Sequence, residues 1–153
     1  MPNDRRRIFV VDDHPSILRS LHRFLKAYGF DPQTFDSAEA FCATGNSDGG
    51  LCLVLDINLN GRCGIELSRQ LAASGNLLPV IFVTGNDTEH VRKAAIDAGC
   101  LAYLPKPIHT QSLLRAIEKA ADFWRLNRQQ VRLNRGAGHA EAMQRDLSSL
   151  LSS

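Results

Sequence analysis

The sequence predicts a doubly wound α/β domain, in which helices cover both faces of a parallel sheet. Five short apolar runs alternate with amphipathic stretches along the chain, which is the pattern of successive β-α units. The runs at residues 51–55 and 80–83 are apolar throughout, as is typical of strands buried on both faces of a parallel sheet. The length of 153 residues suits one such domain, or one domain with a tail.

The predicted strands are the apolar runs themselves. The first covers residues 8–11, and a weaker run at 33–35 is the second. Residues 51–55, 80–83 and 102–104 supply the third, fourth and fifth strands. With right-handed crossovers between parallel strands, we expect the flavodoxin-like strand order 2-1-3-4-5, one of the common orders for such sheets.

The predicted helices follow these strands, at stretches where apolar residues recur every three or four positions. They cover residues 15–28, 38–43, 65–73, 89–98 and 110–124. Ser37 is the expected N-cap of the second helix, Asp87 or Thr88 that of the fourth, and Thr110 that of the fifth. Gly29 is expected to end the first helix.

The composition excludes several classes of protein. Hydrophobic residues make up 44% and charged residues 22%, which is ordinary for a globular chain and unlike a disordered one. The longest apolar run has about five residues, whereas a membrane-spanning helix needs ~20. A net charge of +2 is too weak to predict nucleic-acid binding. The 4 cysteines form neither a CxxC pair nor a zinc pattern, and no disulfide framework is indicated, so we expect a cytoplasmic protein. The short apolar runs predict no membrane contact.

Polar side chains follow four of the predicted strands. Asp12 and Asp13 follow the first strand, Asp56 the third, Thr84 the fourth and Lys106 the fifth. Ligands of open parallel sheets bind at the carboxyl ends of the strands, so we expect these side chains to meet at one edge. Carboxylates that converge there repel one another, so either some are protonated or a cation lies among them.

The donor atoms at this edge indicate the ligand. Oxygen donors without nitrogen or sulfur favour Mg²⁺, which usually keeps positions open for phosphoryl oxygens. Lys106 and Thr84 would complete an anion site beside the ion. We therefore infer a phosphoryl ligand, with one of the carboxylates as the nearest nucleophile.

Each of these residues also has a purely structural explanation. Asp13 could cap the first helix, Asp56 could hold a turn, and Thr84 could cap the fourth helix. Lys106 could be a solvated loop residue. The functional interpretation rests on matching chemistry at four separate strand ends.

Four stretches of the sequence resemble the receiver domain of bacterial two-component response regulators. They are VVDDHP at 10–15, LVLD at 53–56, IFVTG at 81–85 and YLPKP at 103–107. A further stretch, FDSAEAF at 35–41, is most similar to receivers of the NarL/FixJ type. The resemblance implies that residues 5–126 form a receiver domain.

The resemblance also implies a role for each site residue. Asp56 is the phosphoacceptor, which takes a phosphoryl group from a sensor histidine kinase. Mg²⁺ is held by Asp13, Asp56 and the backbone carbonyl of Asn58, with Asp12 acting mainly through water. Thr84 and Lys106 bind the phosphoryl oxygens, as catalytic residues. Such a protein catalyses its own phosphorylation and slow dephosphorylation, without turnover on an outside substrate, and is not counted as an enzyme.

The implied output is a conformational switch. Thr84 moves toward the phosphoryl group, and Tyr103 rotates inward into the vacated space. The surface formed by the fourth helix, fifth strand and fifth helix then changes, and it offers a possible homodimer contact. The resemblance further implies a cis peptide bond between Lys106 and Pro107.

The chain departs from the family pattern after the phosphoacceptor. Asn60 stands where the family usually has proline, which frees the loop backbone and affects how the Asn58 carbonyl is placed. Cys63 in the same loop is expected to be an inert thiol. The alternative of an aspartyl-phosphate phosphohydrolase requires an acid two positions after the nucleophile, where this chain has Asn58. A docking module that is never phosphorylated is a third possibility.

Residues 127–153 are predicted to form a linker-like, partly helical tail. The glycines at 136 and 138 are expected to break it, and Met143, Leu147 and Leu150 form a short amphipathic remnant. A dimer seam from Trp124 through Val131 is an alternative. The tail contains no helix-turn-helix, so DNA binding would need a domain absent from this chain. The chain is then either part of a transcription regulator or a stand-alone receiver, acting as a phosphorelay shuttle, a phosphate sink or a docking signal.

Overall fold

The computed structural model describes residues 5–44 and 49–137, with side chains as far as residue 127. The chain divides into two units, residues 1–120 and residues 121–153. The first unit contains the sheet and every predicted site residue.

The central sheet of the first unit has five parallel strands. In chain order the strands are β1 (Arg7–Val11), β2 (Asp31–Phe35), β3 (Gly50–Asp56), β4 (Asn58–Leu59), β5 (Arg62–Cys63), β6 (Val80–Thr84) and β7 (Ala102–Pro105). The sheet order is β2-β1-β3-β6-β7, and β4 pairs with β5 as a separate antiparallel hairpin. Because β6 and β7 are the fourth and fifth predicted strands, the flavodoxin-like order 2-1-3-4-5 is confirmed.

In the described part of the chain, five helices accompany the strands. They are α1 (Pro15–Ala27), α2 (Ala38–Ala43), α3 (Gly64–Ala73), α4 (Glu89–Asp97) and α5 (Thr110–Ala137). The Ser37 side chain accepts a hydrogen bond from the Ala40 N–H at 3.0 Å, as expected for the N-cap of α2. Thr88, rather than Asp87, caps α4 by accepting from the Val91 N–H at 3.1 Å. Thr110 is the first helical residue of α5 instead of its cap.

The centre of the sheet is buried on both faces, as its apolar sequence predicts. Every residue of β3 and β6 is buried. The parallel register pairs Leu55 with Phe82 and Asp56 with Val83, so the two strands end together. On one face Phe9 and Phe41 pack edge to face, with ring centroids 5.5 Å apart. This core supports the edge of the sheet where the strands have their carboxyl ends.

Besides the position of Thr110, the structure differs from the sequence-based expectations in two places. The β4–β5 hairpin was not predicted, because two-residue strands leave no detectable hydrophobic period. Helix α5 extends to Ala137, beyond the expected end at residue 124, and Gly136 is still helical. Gly138, the second glycine expected to break the segment, lies outside the described residues. The proposed division at residues 126 and 127 stays a prediction. The remnant at Met143, Leu147 and Leu150 lies outside the described residues, as do the side chains that would form a seam at Val131.

No helix of the described residues combines enough length with enough apolar character to cross a bilayer.

Candidate functional site

The ends of four strands bring the predicted side chains to one edge of the sheet. Asp12 directly follows β1, and Asp56 and Thr84 are the last residues of β3 and β6. All three are buried, with relative exposures of 1%, 1% and 0%. Buried polar groups at the tips of adjacent strands are costly unless they have partners or a ligand.

Lys106 is the cation of this site. Its Nζ lies 2.9 Å from Asp12 Oδ2 and 3.4 Å from Asp56 Oδ2, and its side chain is only 15% exposed. The Lys106 N–H donates to the Thr84 carbonyl at 2.7 Å, which fixes the start of the loop after β7. The Lys106–Pro107 bond is cis, as the sequence resemblance implies. Lys106 is therefore a partly buried counter-ion of two carboxylates and not a solvated loop lysine.

Asp56 is held in an environment that disfavours its charge. Burial, and secondarily the negative charge of Asp12, raises the pKa of Asp56 above its ordinary value. The ammonium of Lys106 and a hydrogen bond from the Asn58 N–H oppose that rise. Asn58 N donates to Asp56 Oδ1 at 3.1 Å, so Asp56 holds the turn after β3 while its Oδ2 faces Lys106.

Asp13 also belongs to the site. Helix α1 begins after His14 without a side-chain capping bond, so Asp13 does not cap it. Ligand atoms of Asp12, Asp13, His14 and Asp56 all lie within 4.8 Å of one another. The sequence analysis included the three aspartates and missed His14. Its position directly after Asp13 was the only signal that could have pointed to it.

The donor set fits a divalent cation. Three carboxylate oxygens, Asp12 Oδ2, Asp13 Oδ1 and Asp56 Oδ2, are buried without a well-aligned hydrogen bond. Lys106 lies near two of them, but one ammonium cannot neutralise three carboxylates. Hard oxygen donors of this kind suit Mg²⁺. The carbonyl of Asn58, the fourth expected ligand, stays a prediction.

The loop after Asp56 is held by close backbone contacts. The Gly64 N–H donates to the Ile57 carbonyl at 2.7 Å, where the β4–β5 hairpin returns to the sheet. A Cβ atom on Gly64 would lie 2.3 Å from the Asp56 carbonyl oxygen. Only glycine therefore permits this approach. The hairpin restrains the loop although Asn60 replaces the proline usual in the family.

Thr84 and Tyr103 occupy the side of the site nearest α4. The Thr84 hydroxyl accepts a hydrogen bond from the Asn86 N–H at 3.0 Å, so Thr84 does not cap α4. The half-buried Tyr103 donates its hydroxyl to Asp87 Oδ1 at 3.0 Å. Arg92 Nη2 donates to both oxygens of Asp87 at 3.0 Å, and its guanidinium carbon lies 5.6 Å from the Tyr103 ring centroid.

Burial raises the pKa of the Tyr103 hydroxyl, and the hydrogen bond to Asp87 raises it further. Sequence analysis missed Asp87 and Arg92 as partners of Tyr103. Asp87 precedes α4 and Arg92 lies on it, so these two residues do not have the i, i+3 or i, i+4 spacing that marks an ion pair within one helix.

Comparison with known proteins places this arrangement in a family. The model of the response regulator receiver domain matches residues 8–118. The chain belongs to this family and is the receiver domain of a two-component system.

Two curated relatives match most of this chain. The response regulator protein TodT of Pseudomonas putida is 31% identical over 113 residues, which are 74% of this chain and 50% of TodT. The transcriptional regulatory protein TdiR of Thauera aromatica is 34% identical over 113 residues, which are also 74% of this chain and 50% of TdiR. The chain thus spans about half the length of these relatives.

Solved structures agree with the fold. The response regulator StyR is 37% identical with a TM-score of 0.66, and the match covers 96% of this chain and 69% of StyR. The FixJ-N structure is 31% identical with a TM-score of 0.70, over 76% of this chain and 93% of that structure. The resemblance to NarL/FixJ-type receivers is confirmed.

Proposed function

We propose that this receiver accepts a phosphoryl group on Asp56 from a phosphohistidine of a sensor histidine kinase. The observation that carries the proposal is the position of Asp56 Oδ2, buried beside Lys106 and among oxygens that suit a divalent cation. Lys106 Nζ approaches this oxygen only to 3.4 Å, so an electron pair of Oδ2 is available for attack. The new bond joins Oδ2 to phosphorus, and the N–P bond of the phosphohistidine breaks with the electron pair returning to imidazole.

The residues of the site meet the electrostatic demands of that transfer. The transition state spreads negative charge over three equatorial phosphoryl oxygens. Lys106, already between Asp12 and Asp56, supports that charge as it develops on the donor group. Mg²⁺ held by Asp12, Asp13, Asp56 and the Asn58 carbonyl would neutralise part of it. The Asn58 N–H holds Asp56 Oδ1 and so orients the attacking Oδ2.

The proposed output is a change in the surface formed by α4, β7 and the first turns of α5. The Thr84 hydroxyl would exchange its Asn86 N–H for a phosphoryl oxygen, and Tyr103 would leave Asp87 and turn inward. A family relative named as a transcriptional regulatory protein supports control of transcription when a DNA-binding domain accompanies the receiver. The alternative is a stand-alone receiver that acts as a phosphorelay shuttle, a phosphate sink or a docking signal.

A labelling experiment tests the assignment of Asp56. Purified protein is incubated with Mg²⁺ and acetyl phosphate, and the phosphorylated fraction is resolved on a phosphate-affinity gel. We expect Asp56→Asn to abolish the shifted band. Asp36→Asn is the matched control, because Asp36 follows β2 at the same edge of the sheet but is exposed. An unchanged band for Asp56→Asn would overturn the proposal.

The residue two positions after the phosphoacceptor distinguishes a receiver from a phosphohydrolase. The position two residues after Asp56 is Asn58, whose amide cannot act as a general acid or base. We therefore expect one phosphoryl group per chain and no steady turnover of p-nitrophenyl phosphate. Sustained turnover that Asp56→Asn removes would favour the hydrolase.

A further inference from the structure

His14 presents a nitrogen atom to the carboxylates of the site. Its Nδ1 lies 2.9 Å from Asp12 Oδ1, 3.2 Å from Asp13 Oδ1 and 4.0 Å from Asp56 Oδ2. The backbone N–H of His14 also donates to Asp12 Oδ1, at 2.9 Å. The imidazole is thus held at this edge by the same carboxylate that Lys106 contacts from the other side.

These separations match the spacing of ligands around one ion. Two atoms that each lie ~2.1 Å from a small octahedral cation are about 3 Å apart when adjacent and ~4.2 Å apart when opposite. All three distances from Nδ1 fall in this range.

The buried oxygens supply a second, independent indication of a ligand. Asp12 and Asp56 are each 1% exposed, yet one oxygen of each lacks a well-aligned hydrogen bond. Buried carboxylate oxygens are normally hydrogen-bonded or bound to a metal. Lys106 Nζ contacts both of these oxygens, at 2.9 Å and 3.4 Å, but one ammonium cannot neutralise three carboxylates, so the cluster keeps an excess of negative charge that a cation would balance.

We propose that His14 Nδ1 is a ligand for transition-metal ions at this site, so that the site holds Co²⁺, Ni²⁺ or Zn²⁺ through one nitrogen and several oxygens. Mg²⁺ is held by oxygens alone, because it prefers hard donors, and imidazole suits the transition metals. The inference rests on the proposed function, since it assumes a divalent cation among the three aspartates.

The exposure of the His14 side chain is compatible with this role. A neutral imidazole has one proton, and Nδ1 can offer its electron pair to a metal only when that proton is on Nε2. The side chain is 59% exposed, so water can solvate the Nε2–H.

Metal selectivity provides the test. Dissociation constants for Co²⁺ and for Mg²⁺ are measured by calorimetry on the wild-type chain, on His14→Phe and on His22→Phe. His22 is the matched control, an exposed histidine on α1 away from the carboxylates. We expect His14→Phe to weaken Co²⁺ binding by ~10-fold or more and Mg²⁺ binding by less than about threefold. His22→Phe should change neither constant. His14→Gln repeats the test with a polar side chain.

A spectroscopic measurement reports the ligand directly. We expect the visible absorption bands of bound Co²⁺ to shift in His14→Phe and to stay unchanged in His22→Phe, because an oxygen donor replaces a nitrogen. Excess Mg²⁺ should remove the bands from the wild-type chain, which shows that the two ions share one site.

The outcomes separate this inference from the proposed function. If the wild-type chain binds neither ion, the metal-dependent transfer proposed above fails as well. Suppose instead that the wild-type chain binds both ions, and that His14→Phe has the wild-type dissociation constant and absorption spectrum for Co²⁺. His14 is then not a ligand, and the proposed function stands. If His14→Phe weakens Co²⁺ binding and Mg²⁺ binding by the same factor, the assignment is also overturned, because the variant then has a damaged site and not merely a lost nitrogen donor.

Discussion

The hydroxyl of Tyr103 and Oδ1 of Asp87 are 3.0 Å apart and joined by a hydrogen bond that the tyrosine donates. Arg92 holds Asp87 in place with contacts of 3.0 Å to both carboxylate oxygens. The bond anchors Tyr103 on the outer side of β7. If Tyr103 turns inward on phosphorylation, this hydrogen bond must break first. Its strength therefore sets part of the resting equilibrium of the switch.

The first prediction concerns this anchor. Asp87→Asn removes the charge from the acceptor, which weakens the hydrogen bond by about 1 kcal/mol at a solvated position and raises the inward population of Tyr103 several-fold. Incorporation of 3-fluorotyrosine gives two ¹⁹F signals, since the chain has 2 tyrosines, and Tyr28→Phe identifies them. We expect the Tyr103 signal to move in Asp87→Asn. A signal at the wild-type position would show that the bond does not restrain the ring.

The second prediction is the pH dependence of the same hydroxyl. Burial and then Asp87 raise the pKa of Tyr103 above its ordinary value. In the Tyr28→Phe background, absorbance at high pH follows Tyr103 alone. We expect Asp87→Asn to lower this pKa but to leave it above that of free tyrosine, because the effect of burial persists. An unchanged pKa would exclude Asp87 as a cause.

The third prediction concerns stability and the charge of Asp56. Its pKa is higher in the native state than the ordinary value of 3.8, so the native state holds this proton more tightly than the unfolded chain does. Ionising Asp56 in the native state therefore lowers the free energy of unfolding. This loss is absent below the ordinary pKa, grows as the pH rises toward the raised pKa, and is complete above the raised pKa.

Asp56→Asn removes that cost. Without divalent cations, we expect the variant to raise Tm by ~2–4 °C at pH 7 and to have no stabilising effect near pH 3. Added Mg²⁺ should raise the Tm of the wild-type chain more than that of the variant, because binding stabilises the native state. Asp36→Asn is the control, and an equal effect of both variants at pH 7 would contradict this explanation.

The fourth prediction concerns Lys106. Lys106→Met leaves Asp12 and Asp56 buried without their counter-ion, which we expect to lower the free energy of unfolding by about 3 kcal/mol in urea titrations without divalent cations. Mg²⁺ should then restore more stability to this variant than it adds to the wild-type chain, since the ion supplies the missing charge. Lys26→Met, at an exposed position of α1, should respond as the wild-type chain does.

The fifth prediction concerns the turn after β3. Gly64→Ala places a methyl group 2.3 Å from the Asp56 carbonyl oxygen, so the backbone must move. We expect a loss of about 1–3 kcal/mol in the free energy of unfolding and slower labelling of Asp56. Gly85→Ala is the stability control, because its Cβ would meet only Lys106 Cδ, at 3.9 Å. Equal stability of the two variants would show that the close approach at Gly64 is not required.

The sequence by itself determined the sheet and the main residues of the site. Apolar strands, amphipathic helices and strand-end residues are local patterns, and parallel strands bring their carboxyl ends to one edge whatever the details of packing. Asp12, Asp13, Asp56 and Lys106 were predicted together for this reason. The long α5 was underestimated, because the apolar pattern weakens after residue 124 while the helix continues.

Only the tertiary structure decided which side chains touch. His14, in the loop after β1, comes within 4.0 Å of Asp56 at the end of the neighbouring strand β3. Tyr103 on β7 reaches Asp87, which lies in the loop before α4. The approach of Gly64 to the Asp56 carbonyl depends on how the β4–β5 hairpin folds back onto the sheet. Such contacts join residues from separate segments, so their distances follow from the packing of the whole sheet and not from any local period.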